Sequence, residues 1–175
     1  NALFFVPDTR SHRSIGEVEN PERTDISMLG ARQKAWLKEA MARSDADVFF
    51  VVSQVTFMIP HVGGTPSGTA AAARTAPAAV THDEAWPVFL AEREELIRFW
   101  EGLGKPVLVL TGDLHNSFSI KITDRIWEFA SGPHNSRNHR ADAQGMTKPN
   151  GTYDSRGRPV DIRWSSFFLP DVPAP

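Results

Sequence analysis

After Pro106 the chain reads Val107-Leu108-Val109-Leu110, then Thr111-Gly112-Asp113-Leu114-His115-Asn116-Ser117. Four apolar residues rich in Val and Leu are too short a run for a helix and suit a fully buried strand. In open α/β sheets, ligands gather beyond the carboxyl ends of such strands. Asp113 and His115 therefore stand where chemistry is usually done. A carboxylate oxygen and an imidazole nitrogen both ligate Zn, Fe or Mn, and the carboxylate also suits Ca or Mg. Gly112 lets backbone or ligand approach closely. The same residues also suit a plain turn, which Asp often starts, and the motif alone leaves both readings open. If the segment stays extended, side chains two apart face one side. Asn116 is a third catalytic candidate: it can hydrogen-bond substrate or orient a ligand, or simply occupy a turn.

The rest of the chain alternates strands and helices. Residues 2–6 read as a strand stopped by Pro7, and residues 47–52 as a second buried strand. A helix is expected over 30–43, where Leu29, Trp36, Leu37, Ala40 and Met41 fall close to one face. Another runs from about 86 to 100, with Pro87 tolerated only in a first turn. Phe89, Leu90, Leu96, Ile97 and Trp100 recur there at helical spacing, with Arg93 the polar exception. Gly102 and Gly104 close that helix. Residues 117–122 and 126–129 read as a hairpin about Thr123-Asp124-Arg125. Residues 62–81 are rich in Gly, Ala and Pro and are expected to form a mobile surface loop. Residues 138–159 are expected to be loop, and 160–169 a last strand. Trp36, Trp86, Trp100 and Trp127 are most simply core residues, and Trp164 suits core or a cleft wall.

Composition excludes several classes. The 175 residues fit one domain or a large part of one. A net charge of −2 gives no argument for nucleic acid or an anionic membrane as partner. No apolar run approaches the ~20 residues of a membrane span. With no Cys there is no disulfide framework, no zinc-finger pattern and no thiol nucleophile. Nor is there a Gly-x-Ser-x-Gly elbow, a P-loop, a His-Glu-x-x-His motif or a dinucleotide fingerprint.

Several stretches share a further pattern. They are Phe4-Phe5-Val6-Pro7-Asp8-Thr9-Arg10-Ser11-His12-Arg13, Met28-Leu29-Gly30 with Gln33, Trp36 and Leu37, Thr111 to Phe118, Trp127-Glu128-Phe129-Ala130-Ser131-Gly132-Pro133, and Asp161-Ile162-Arg163-Trp164. In this order and spacing the chain resembles the C-terminal half of the PhoD-like alkaline phosphatases, within the calcineurin-like metallophosphoesterases. The resemblance implies an α/β fold, a mixed-sheet αββα sandwich of which residues 1–175 are the C-terminal part. It implies a two-metal phosphoesterase, with Gly112-Asp113-Leu114-His115 matching the last metal-binding motif. Fe together with Ca is the implied metal set, a small phosphate ester the implied substrate, and an extracytoplasmic location the implied setting. The superfamily's earlier metal motifs do not precede Asn1, so the chain reads as a fragment lacking the N-terminal half of its domain. Where a His is usual after the second strand, the sequence has Gln54, and His61 a few residues later is the candidate replacement ligand.

The chemistry can be argued without the family. Hydrolysing a phosphate ester requires neutralising its oxygens and making a water nucleophilic, and two cations about 3.5–4 Å apart do both. Asp113 and His115 are the candidate ligands. Arg10 presents a planar fork suited to phosphate, with Asp8 holding the guanidinium; the two can equally form a structural ion pair, the commoner role of such pairs. His134, in a donor-rich segment after the hairpin, is a candidate substrate contact or a solvated loop residue. Two functions stay open: metal-dependent phosphate-ester hydrolysis, or a truncated non-catalytic half-domain or binding module lacking the upstream ligands.

Overall fold

The computed structural model describes residues 1–14, 20–60, 84–133 and 150–166. The loop expected at 62–81 lies outside them. Seven strands form one sheet: β1 (Ala2–Phe5), β2 (Val48–Val52), β3 (Val107–Thr111), β4 (Phe118–Lys121), β5 (Ile126–Ala130), β6 (Gly151–Ser155) and β7 (Arg158–Ser165). Their order is β1-β2-β3-β5-β4-β7-β6. The first four in that order run parallel, and β4, β7 and β6 join antiparallel. The fold is therefore α/β with a mixed sheet.

Helix α1 (Ala31–Arg43) connects β1 to β2, and α2 (Leu90–Leu103) precedes β3. The two lie side by side, with Lys34 and Lys38 of α1 each ion-paired to Glu95 of α2 at 2.8 and 2.9 Å. Pro87 sits in a short 3-10 turn, Trp86–Val88, just ahead of α2. Gly104 ends α2 in the left-handed conformation (φ +68°), which glycine adopts without a Cβ penalty.

Strand side chains alternate between faces, and the two faces of this sheet differ. Phe5, Phe49, Val51, Val107, Val109, Ile120, Ile126 and Ile162 join one core cluster with Leu37 and Met41 of α1 and Leu96, Ile97 and Trp100 of α2. The intervening residues face the other way. Phe4, Phe50, Leu108 and Trp127 lie in cross-strand register, as do Val52, Leu110, Phe129, Ser119 and Trp164 one row on. This second face is open: Phe4 is 57% exposed, Phe129 39% and Trp164 47%. Phe4 stacks on Phe50 at 4.5 Å, and Trp127 on Phe129 at 6.0 Å.

Three expectations are corrected. The segment 151–155, expected to be loop, is strand β6, joined to β7 by Arg156-Gly157 with φ of +49° and +89°. That is a two-residue hairpin with both central residues left-handed. An edge strand of Gly-Thr-Tyr-Asp-Ser owes its form to pairing with β7, which local propensity does not report. Trp36 is 51% exposed rather than core, although its ring meets Phe5 edge-on at 5.9 Å. Trp127 is half-buried on the open face, whereas Trp86 and Trp100 are core.

Candidate active site

The carboxyl ends of β1, β2, β3 and β5 lie along one rim, where β4 begins and β7 ends. Asp113, His115 and Asn116 follow β3 there. The segment is not extended. Leu114 N–H donates to Gly112 C=O at 2.8 Å, closing a three-residue turn on Asp113. Asp113 has φ +69° and His115 φ +60°, both left-handed. For residues other than glycine this costs energy and persists only where the surroundings over-determine it. Here Leu114 and Asn116 are buried and pin the segment, leaving Asp113 exposed and His115 half-buried. Both candidate ligands thus keep access to solvent, on a coiled backbone rather than by strand alternation.

The rim around them is tied by small polar groups. Ser131 N–H donates to Thr111 C=O at 3.0 Å, and Gly132 N–H donates to Ser117 Oγ at 2.7 Å. Ser117 N–H donates to Ser166 Oγ at 2.9 Å, and Ser166 N–H returns to Ser117 C=O at 2.8 Å. A Cβ on Gly132 would lie 3.2 Å from the backbone C of Asn116 and N of Ser117. Gly132→Ala is therefore expected to push the Asn116–Ser117 peptide aside and cost about 1–3 kcal/mol, the usual range for overpacking. Urea unfolding checks the cost, and amide shifts at Asn116 and Ser117 check the displacement.

Arg10 follows β1 on the same rim; β1 itself lies two strands, about 10 Å, from β3. Asp8 does not hold its guanidinium. Asp8 Oδ1 accepts the main-chain N–H groups of Arg10 and Ser11, both at 2.8 Å, and the guanidinium instead reaches Glu84 at 3.5 Å and stays exposed. A short-range turn contact has taken the carboxylate that an ion pair would have used. The N–H and hydroxyl of Ser11, with the Arg10 N–H, lower the Asp8 carboxyl to about 2. This turn is thus held above about pH 4 and is lost as pH falls toward 2. Gln33 ties the segment to α1 by accepting from Asp8 N–H at 2.7 Å and donating to Asp8 C=O at 2.9 Å. Thr9, buried, donates to Gln54 Oε1 at 2.8 Å, so the residue standing where a His was sought cross-links two rim segments. His61 and His134 lie outside the described residues.

The sequence profile of the PhoD-like phosphatases matches residues 1–166. The chain belongs to the PhoD-like phosphatase family. A solved structure titled "Structure of PhoD" has a similar fold, with 24% identity and a TM-score of 0.56. The likeness covers 75% of this chain and 26% of that one, so the PhoD-like chain spans about a quarter of the solved one. No curated protein matches the chain.

One residue that the PhoD-like motifs contain was not singled out as a site candidate. Glu128, in the Trp127-Glu128-Phe129 stretch of β5, is completely buried. Its carboxylate accepts the N–H groups of Phe57 and Met58 at 2.7 and 2.8 Å and the Thr111 hydroxyl at 2.9 Å. Burial pushes its carboxyl up to about 7, against the pull of those three donors and of Arg93. The available signal was its place between Ile126 and Ala130 on the covered face of a strand.

Proposed function

We propose that the chain carries the rim of a metal-dependent phosphate-ester hydrolase, within a sandwich whose second sheet covers the open apolar face. The observation that carries this reading is an exposed Asp113 and a half-buried His115 on left-handed backbone at a strand's carboxyl end. Membership of the PhoD-like phosphatases supports the same reaction class. The open face supports the sandwich, because a sheet face of stacked aromatic and aliphatic residues needs a second layer to bury it.

The donor set fits one side of a metal ion. A carboxylate oxygen and an imidazole nitrogen suit Fe, Mn or Zn, and the carboxylate also suits Ca. Among the described residues no cluster of three or more His, Cys, Asp or Glu side chains could hold a metal. In this reading the remaining ligands come from other segments. When bound, a pair of such ions supplies Lewis acidity and a nucleophilic hydroxide near neutral pH. The chain's own residues do the rest. Asp113 and His115 orient the metal side, Asn116 braces the turn from within, and Arg10 lies on the same rim to meet phosphate oxygens once its weak hold on Glu84 is released.

The test compares metal content and p-nitrophenyl phosphate hydrolysis for this chain alone and for a longer polypeptide that adds the second sheet. Metal uptake and turnover in the longer polypeptide are expected. A well-folded longer polypeptide that takes up metal and leaves phosphate esters intact would sink the hydrolase reading.

A further inference from the structure

We infer that Glu128 is a positioning residue: its carboxylate locks the loop after β2 to the last residue of β3, registering the Asp113–His115 segment against the rest of the rim. The inference rests on the reading of that segment as the reactive one.

A carboxylate is an expensive group to bury, and among the described residues none forms an ion pair with Glu128. Packing alone would be served by an apolar side chain. Only a group with two acceptor oxygens can take two successive main-chain N–H groups and a hydroxyl at once. Oε1 accepts Phe57 N–H and Thr111 Oγ–H, and Oε2 accepts Met58 N–H. One side chain from β5 therefore joins Met58 of the loop to Thr111, 53 positions further along the chain and directly before Gly112 and Asp113.

Both halves of this clamp are fixed from their far sides. Met58 C=O accepts the Ser155 hydroxyl, while Arg93, itself completely buried, donates to Ser155 Oγ at 2.8 Å and to Ser155 C=O at 2.9 Å. Thr111 C=O accepts Ser131 N–H. The left-handed turn at Asp113 thus starts from a residue held by both its side chain and its carbonyl. The loop also runs back to Gln54: Ser53 Oγ donates to Val55 C=O at 2.6 Å, Ser53 N–H donates to Leu110 C=O at 2.8 Å, and Gln54 accepts from Thr9. Through these links the buried carboxylate ties the Asp113 segment to the segment bearing Arg10.

Amide exchange and chemical shifts of the isotopically labelled full chain, without metal or phosphate, test this. Glu128→Gln keeps the shape but sets an NH2 against one of the two main-chain N–H groups. Exchange at Phe57 or Met58 is expected to accelerate about tenfold. The amides of Asp113 to His115 and the His115 ring are expected to shift, while Leu37 and Met41 in α1 stay unchanged. Response confined to Phe57 and Met58 means a merely structural role and overturns the proposal. Thr111→Val removes only the hydroxyl link and is read from the opposite side: faster exchange at Phe57 and Met58 supports the clamp, and silence there refutes it. If Glu128→Gln does not fold, Thr111→Val decides. Neither readout needs catalysis, so failure of the hydrolase reading is seen separately, in turnover.

Discussion

Asp113→Ala is expected to lower phosphate-ester turnover by about 10²–10³-fold, the usual cost of removing one preorganised electrostatic group from an active site. The measurement is made in the polypeptide that adds the second sheet, with metal content determined on the same samples. Asp113 is exposed, so truncating it removes no core packing. Its left-handed φ of +69° is less comfortable for Ala than for Asp, which tolerates that region better. The variant should therefore fold, slightly less stable, with reduced metal. On the proposed reading of the two residues as ligands, His115→Ala should behave alike. Full metal and full turnover without the Asp113 carboxylate would refute its assignment as a ligand.

Glu128→Ala is the second large effect, and it falls on stability. The substitution strands two buried main-chain N–H groups, each costing about 1–3 kcal/mol, and leaves a cavity beside Thr111. Relief from burying a carboxylate offsets part of this. A net loss of about 2–5 kcal/mol is expected in urea unfolding at pH 7.5, a large share of the 5–15 kcal/mol typical of a domain. Glu128 also sets a pH dependence. Burial raises its carboxyl to about 7 in the folded chain, above the 4.5 of a free glutamate, so between these values the folded state holds the extra proton. Stability from this group is fully present below about pH 4.5, declines as pH rises, and levels off above about pH 7. Glu128→Gln should flatten that part of the profile; an unchanged slope between pH 5 and 7 would show that Glu128 does not titrate there.

The candidate site was partly legible in the residues. A short Val/Leu run before Gly112 located the strand end, and residue chemistry marked Asp113 and His115 as candidate ligands. The geometry that presents them was not legible. Asp and His tolerate the left-handed region better than most residues, but that both adopt it here is decided in the completed fold, where Leu114 and Asn116 are buried. Asp8 shows the opposite limit. Its nearness to Arg10 suggested an ion pair, but the competing main-chain donors of Arg10 and Ser11 are always at hand and need no side-chain ordering.

Helices α1 and α2 and strands β1, β2 and β3 follow from local pattern, since a 3.6-residue period, short apolar runs and the stops at Pro7 and Gly104 are properties of neighbouring residues. By itself the sequence determined these elements, the β4–β5 hairpin and the strand end that bears Asp113. Tertiary structure alone decided the rest: that β5 lies between β3 and β4, that a polar Gly-Thr-Tyr-Asp-Ser segment becomes an edge strand, and that Glu128 is sealed against the loop after β2 while Phe4, Phe129 and Trp164 stay open. The physical reason is that apolar spacing tells which surfaces must leave water, whereas the partner that covers them, and any buried carboxylate between them, is chosen by contacts between residues far apart in the chain.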